Sequence, residues 1–209
     1  MADIIREVNA GSVDKLRAIL GSFDENANVI MHELGVTLRV EGLDILILGP
    51  EDKVSVAADV IECLVELAAE GEPVDKNRIS YCIELSKEGR AKDILKLSGS
   101  TVGVTHRGKP IKCKTVGQKR YADAIRHDTV VFGVGPAGTG KTYLAVCLAV
   151  QAYKSKQVER IILTRPAVEA GEKLGFLPGD LQTKVDPYLR PLYDALQEML
   201  GLETYTKLM

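Results

Sequence analysis

Gly135-Pro136-Ala137-Gly138-Thr139-Gly140-Lys141-Thr142 follows the apolar run Thr129-Val130-Val131-Phe132-Gly133-Val134 and opens a helical stretch at residues 143–153. A polyphosphate is held by backbone N–H groups turned inward, and glycines at 135, 138 and 140 permit that curl. Lys141 then reaches the β and γ phosphates, the Thr142 hydroxyl is placed to ligate Mg²⁺, and the new helix aims its positive end at the anion. Strand, glycine loop and helix in this order predict a cradle for a nucleoside triphosphate with magnesium, completed by Pro136, Ala137 and Thr139. The bland alternative, a glycine-rich turn that only joins strand to helix, is disfavoured by this flanking context.

Beyond the loop helix, Arg160-Ile161-Ile162-Leu163-Thr164 reads as a second buried strand that ends at Arg165-Pro166. Strand, helix and strand require a right-handed parallel crossover, which makes the fold class α/β. Residues 171–184 read as an irregular stretch. A last helix starts at Asp186-Pro187 or Arg190-Pro191, buries Leu192, Tyr193, Leu196, Met199 and Leu200, and stops at Gly201. A phosphate-loop hydrolase also needs a carboxylate at the end of a neighbouring apolar strand to hold the metal. The run at 161–163 ends in Thr164-Arg165, and the run at 43–48, before Glu51 and Asp52, lies in a different domain. Two strands also cannot bury both faces of a parallel sheet. The expectation is an incomplete parallel sheet in a fragment whose remaining strands and acidic metal ligand lie beyond Met209, able to bind nucleotide and poor at hydrolysing it.

The amino-terminal half has a different pattern. Ser12 caps a helix through Val13, Leu16, Ile19 and Leu20 that Gly21 ends, and a second helix at 26–34 stops at Gly35. Residues 36–40 and 43–48 flank Glu41-Gly42 as a hairpin, and a helix over 53–70 places Val56, Val60, Ile61, Leu64 and Leu67 on one face to cover it. Asp75 caps a further helix through Ile79, Cys82, Ile83 and Leu85. This predicts a small α+β domain at 1–97. Residues 98–117 read as a linker hairpin around Arg107-Gly108-Lys109-Pro110, followed by a helical stretch at 122–126 and the phosphate-loop domain at 118–209.

The net charge of −2 is unevenly distributed. Residues 1–86 carry 17 Asp and Glu against 7 Lys and Arg, whereas residues 87–120 carry 10 Lys and Arg against Glu88 and Asp93. A basic strip beside a nucleotide site is either a nucleic-acid footprint or a solvated linker. The first ten residues carry Asp3, Arg6 and Glu7 and so lack a signal peptide's apolar core, and no apolar run is long enough to cross a bilayer. These readings place the chain in the cytoplasm, away from membranes. Cys63, Cys82, Cys113 and Cys147 are scattered without metal-ligand spacing, as are His32, His106 and His127, and none is assigned a role.

From Gln118 onward the sequence closely resembles the PhoH-like, or phosphate-starvation-inducible, ATPase family. The residues that carry the likeness are 135–142, the run Arg165-Pro166-Ala167-Val168-Glu169-Ala170-Gly171-Glu172-Lys173-Leu174-Gly175-Phe176-Leu177-Pro178-Gly179-Asp180, and residues 184–196. The resemblance implies a P-loop NTPase core similar to that of superfamily 1 helicases, with ATP and Mg²⁺ as cofactors, RNA as a partner, a homo-oligomer as its assembly and a link to phosphate stress. It implies that Gln118 reads adenine, where an amide can pair with the donor and acceptor edge of the base, with Tyr121 against the ring. A polar residue at a helix start is the other reading of Gln118. Thr164 and Arg165 fall where related cores touch a single-strand backbone, although Arg165 could equally pair with Glu169 or Glu172. The family's first domain is similar to a KH-like fold, from which this sequence departs in lacking a basic G-x-x-G clamp and in its acidic charge. Two functions follow: an ATPase that remodels RNA, or a nucleotide-gated module that recruits an RNA-processing partner.

Overall fold

The computed structural model of the chain describes residues 3–164 and 181–208, without the side chains of 181–188. The chain divides into two compact units, one of Met1–Ser100 with Lys114–Val116 and one of Thr101–Cys113 with Gly117–Met209.

In the first unit, β1 (Asp3–Asn9), β2 (Thr37–Glu41) and β3 (Asp44–Pro50) form an antiparallel sheet in the order β1-β3-β2. The hairpin turn at Gly42-Leu43 sets the β2–β3 register, with Glu41 opposite Asp44 and Thr37 opposite Leu48. β1 was not anticipated, because its charged residues Asp3, Arg6 and Glu7 interrupt the alternation that marks a half-buried strand. It pairs with β3 along its whole length, Asp3 opposite Pro50 and Asn9 opposite Asp44. Central β3 turns Ile45 and Ile47 inward, both fully buried.

Helices cover this sheet. α1 (Val13–Leu20) is capped by the Ser12 hydroxyl, which accepts from the Lys15 amide, and α2 (Glu25–Leu34) ends on left-handed Gly35. α3 (Glu51–Ala69) lies against β1 and β3 with Val60, Ile61, Leu64 and Leu67 fully buried as their spacing predicts, while Val56 is half-buried and Val54, outside the predicted face, is fully buried. α4 (Lys76–Lys87) starts at Asp75, whose carboxylate accepts from the Arg78 amide, and buries Ile79, Cys82 and Ile83 against its neighbours. A 3-10 segment, Ala91–Leu97, closes the core with Ile94 and Leu97. Burial of these side chains at ~25 cal/mol per Å² of apolar area dominates the favourable side of folding.

The second unit is built on helices. β4 (Thr101–Val104) and β5 (Pro110–Lys112) make the expected antiparallel hairpin, and it packs on α6 (Lys141–Lys154). α5 (Val116–His127) is longer than residues 122–126 suggested, so Gln118 and Tyr121 lie within a helix. α6 buries Leu144, Val146, Cys147, Leu148 and Val150 and packs on α7 (Leu181–Leu200), which contributes Leu192, Ala195, Leu196 and Met199. α8 (Leu202–Leu208) follows the Gly201 break. The start expected at Asp186-Pro187 or Arg190-Pro191 is corrected: α7 begins at Leu181 and carries both prolines inside it. Each proline removes a backbone hydrogen bond and crowds the carbonyl four residues before it, and the apolar face along 192–199 holds the helix on α6 against that cost.

The predicted parallel crossover is not seen among the described residues. Among the described residues both sheets are antiparallel, and neither 129–134 nor 160–164 pairs with any strand. Val130, Phe132, Val134 and Ile162 are 70%, 86%, 95% and 81% exposed. Parallel strands gain their stability from neighbours and helices on both faces, and two such stretches alone do not supply them. The irregular stretch expected at 171–184 falls outside the described residues up to 180, and from Leu181 the chain is helical.

Candidate nucleotide site

Residues 135–140 curl into a loop at the start of α6, with Gly138 at φ +75° and Gly140 at φ +84°. A side chain at Gly140 would be strained by that left-handed backbone and would meet the Gln118 amide nitrogen at 3.3 Å. Gly140 is the N-cap of α6, and among the described residues no side chain caps the helix, which leaves the first-turn amides for an outside acceptor. Leu144 makes the first backbone bond of the helix, to the Gly140 carbonyl at 2.9 Å. Uncapped amides, a flanking ammonium and a hydroxyl at Thr142 form a donor set suited to a phosphate chain with a divalent cation.

Lys141 bends back over its own loop. Its Nζ donates to the carbonyls of Gly135 at 2.9 Å and Pro136 at 2.6 Å, and to Thr139 Oγ1 at 3.2 Å. Thr139 Oγ1 in turn donates to the Pro136 carbonyl at 3.0 Å. Residues Gly135, Pro136, Ala137, Gly138 and Thr139 are exposed, as is Thr142, while Gly140 and Lys141 are half-buried. An incoming phosphate competes with neutral carbonyls for the ammonium, and a charge-assisted bond is the stronger of the two.

Gln118 and Tyr121 stand behind the loop. Gln118 Nε2 donates to the Thr139 carbonyl at 3.1 Å. The Tyr121 ring lies so close to Gly133 that a Cβ there would sit 2.9 Å from Cε2, and burial raises the pKa of its hydroxyl. Sequence reasoning missed Gly133, and it placed Thr139 in the loop without the contact of its carbonyl with Gln118. Gly133 carried a signal, since an isolated glycine inside an apolar strand pattern marks close backbone approach. The Thr139 contact carried none, because that carbonyl becomes a partner only when α5 comes alongside.

Tyr143, one residue past Thr142, donates from its hydroxyl to Glu198 Oε1 at 3.1 Å and ties α6 to α7. Burial, and then the bond to the Glu198 carboxylate, push the Tyr143 hydroxyl up to about 12. Thr164 is exposed at the end of the unpaired stretch, and Arg165 lies outside the described residues. Among the described residues no three His, Cys, Asp or Glu side chains gather as a metal-binding group. None of the described helices is long and apolar enough to cross a membrane.

Residues 110–209, which hold this loop and the helices around it, match the family profile described as PhoH-like protein. A PhoH-like protein of Mycobacterium bovis is 48% identical over 200 residues, covering 94% of this chain and 55% of the relative. The chain belongs to the PhoH-like family. The PhoH-like protein of Bacillus subtilis is 40% identical over 196 residues, 94% of this chain and 61% of its own length. Protein PhoH of Escherichia coli matches this PhoH-like chain over 92 residues at 46% identity, 44% of the chain and 26% of the relative. The chain thus spans little more than half the length of the curated relatives that it matches along most of its extent. No solved structure matches it significantly.

Proposed function

We propose that this chain binds ATP with Mg²⁺ at residues 135–142, and that the longer protein couples ATP hydrolysis to binding or remodelling of RNA in the cytoplasm, with a link to phosphate stress. The observation that carries the reading is the uncapped start of α6 beneath a glycine-curled loop, with Lys141 and Thr142 at its mouth. Lys141 balances charge on the β and γ phosphates, and the loop amides hold the chain of oxygens in place. Magnesium, held at Thr142, would neutralise phosphate charge and shape the triphosphate. The four free thiols suit a reducing compartment.

RNA is supported by charge. Residues 101–120 hold six Lys and Arg and no carboxylate, and Arg107 and Lys109 sit at the exposed turn of the β4–β5 hairpin. Thr164 and Arg165 are the other candidate backbone contacts. The KH-like reading of the first unit is supported by its order of β1, two helices, β2, β3 and α3, although the α1–α2 turn, Gly21-Ser22-Phe23-Asp24, ends in an acid where a phosphate clamp needs a base.

A second reading, a nucleotide-gated recruiter of an RNA-processing partner with hydrolysis incidental, is favoured by Thr164, where a metal-binding carboxylate would otherwise close the 160–164 stretch. Titration calorimetry with Mg·ATP tests the shared step: uptake by the chain, weakened by about a hundredfold or more in Lys141→Ala, is expected. Lack of uptake by the folded chain sinks both readings. Strong stimulation of the longer protein's ATPase by single-stranded RNA selects the first, and none selects the second.

A further inference from the structure

α5 approaches the phosphate loop from behind and holds it at two points one helical turn apart. Gln118 Nε2 donates to the Thr139 carbonyl at 3.1 Å, and the Tyr121 ring bears on the backbone at Gly133. Residues i and i+3 share one helix face, so a single rigid element makes both contacts. The helix is itself anchored at its far end: Arg126 donates to the Thr101 carbonyl of β4 at 3.2 Å, and Lys119 and Arg126 both pair with Asp123, at 2.9 and 3.3 Å.

Thr139 connects this clamp to the loop's lysine. The residue whose carbonyl is held by Gln118 also presents the Oγ1 that accepts from Lys141 Nζ at 3.2 Å. The position of the Thr139 peptide therefore bears on both the amide cradle and the ammonium. A Cβ at Gly133, just ahead of the loop, would come within 2.9 Å of the Tyr121 ring, and one at Gly140, at the loop's end, would crowd Gln118 Nε2 at 3.3 Å. The bare backbone at those two positions is matched to the clamp.

We propose that Gln118 and Tyr121 are positioning residues that set the shape of the phosphate loop, so that Gln118 acts on triphosphate binding whatever base is attached. This rests on the nucleotide reading above and departs from an adenine-reading Gln118. A group that orders the cradle changes the affinity of every ligand that uses the cradle, whereas a base reader changes only ligands that carry the base.

Calorimetry of Mg·ATP, Mg·GTP and inorganic tripolyphosphate against the chain and its Gln118→Ala variant separates the two. The clamp predicts that all three ligands weaken together by about tenfold, the size of one lost hydrogen bond. It also predicts faster hydrogen exchange at the amides of Gly135 and residues 137–140 at an unchanged melting midpoint. Gly133→Ala, which pushes against Tyr121, should weaken the same three ligands in parallel. Loss of ATP affinity with GTP and tripolyphosphate untouched would overturn the clamp in favour of base reading. Unchanged affinity for all three would overturn it as well. If the wild-type chain takes up no triphosphate, the nucleotide reading falls and the clamp with it, an outcome distinct from wild-type binding that Gln118→Ala leaves intact.

Discussion

The two units of this chain treat their apolar stretches in opposite ways. β3 runs apolar from Ile45 to Leu48 and is covered, because β1 and β2 pair with it on either side and α3 lies over it. The stretches at 129–134 and 160–164 are similarly apolar, yet among the described residues they stay unpaired and expose Val130, Phe132, Val134 and Ile162. β2 reaches β3 through a two-residue turn and β1 pairs with β3 past two helices of the same unit, whereas parallel partners must be delivered across a crossover and flanked by further strands. A local sheet completes itself, and a parallel one depends on the rest of its domain.

The largest expected effect tests the closed core. Leu64 is fully buried on α3, and Leu64→Ala should destabilise the first unit by about 2–5 kcal/mol, read from hydrogen exchange of the α3 amides. A cost below about 1 kcal/mol would mean that this core is looser than its burial implies. Phe132→Ala in the second unit, at a side chain 86% exposed, should change stability by no more than about 0.5 kcal/mol. A cost as large as that of Leu64→Ala would break the contrast, because Phe132 would then be covered in solution.

The smallest effect sharpens the description of the second unit. The Tyr143 hydroxyl, bonded to Glu198, ionises near 12 when folded against an ordinary value of 10. A raised value favours the neutral hydroxyl in the folded state. The stabilisation it gives is therefore full below pH 10 and is lost as pH rises through about 12. Urea midpoints measured across that interval should fall less steeply in Tyr143→Phe than in wild type. Parallel slopes would remove the Tyr143–Glu198 bond from the account of how α6 is held on α7.

Much of the fold was legible locally. Ser12 and Asp75 announced the helix starts that their side chains cap, Gly35 and Gly201 announced stops, and the spacing from Val60 to Leu67 announced the buried face of α3. β1 was not legible, since its charges mask the alternation and only pairing with β3 makes it a strand. The two prolines of α7 suggested starts that tertiary packing overrode. At the site, the loop at 135–142 was readable as a unit, while the company it keeps was not.

What the amino-acid sequence determined by itself was a glycine-curled loop ahead of a helix, the lysine and threonine at its end, the PhoH-like likeness, and the acidic segment at 1–86 with the basic strip that follows it. These rest on interactions between residues a few positions apart, which spacing encodes directly. Only the tertiary structure decided that the Gln118 amide meets the Thr139 carbonyl, that Tyr121 presses on Gly133, and that the apolar stretches beside the loop remain unpaired among the described residues. Those outcomes depend on how separate elements approach one another, a distance in space that no local pattern of residues records.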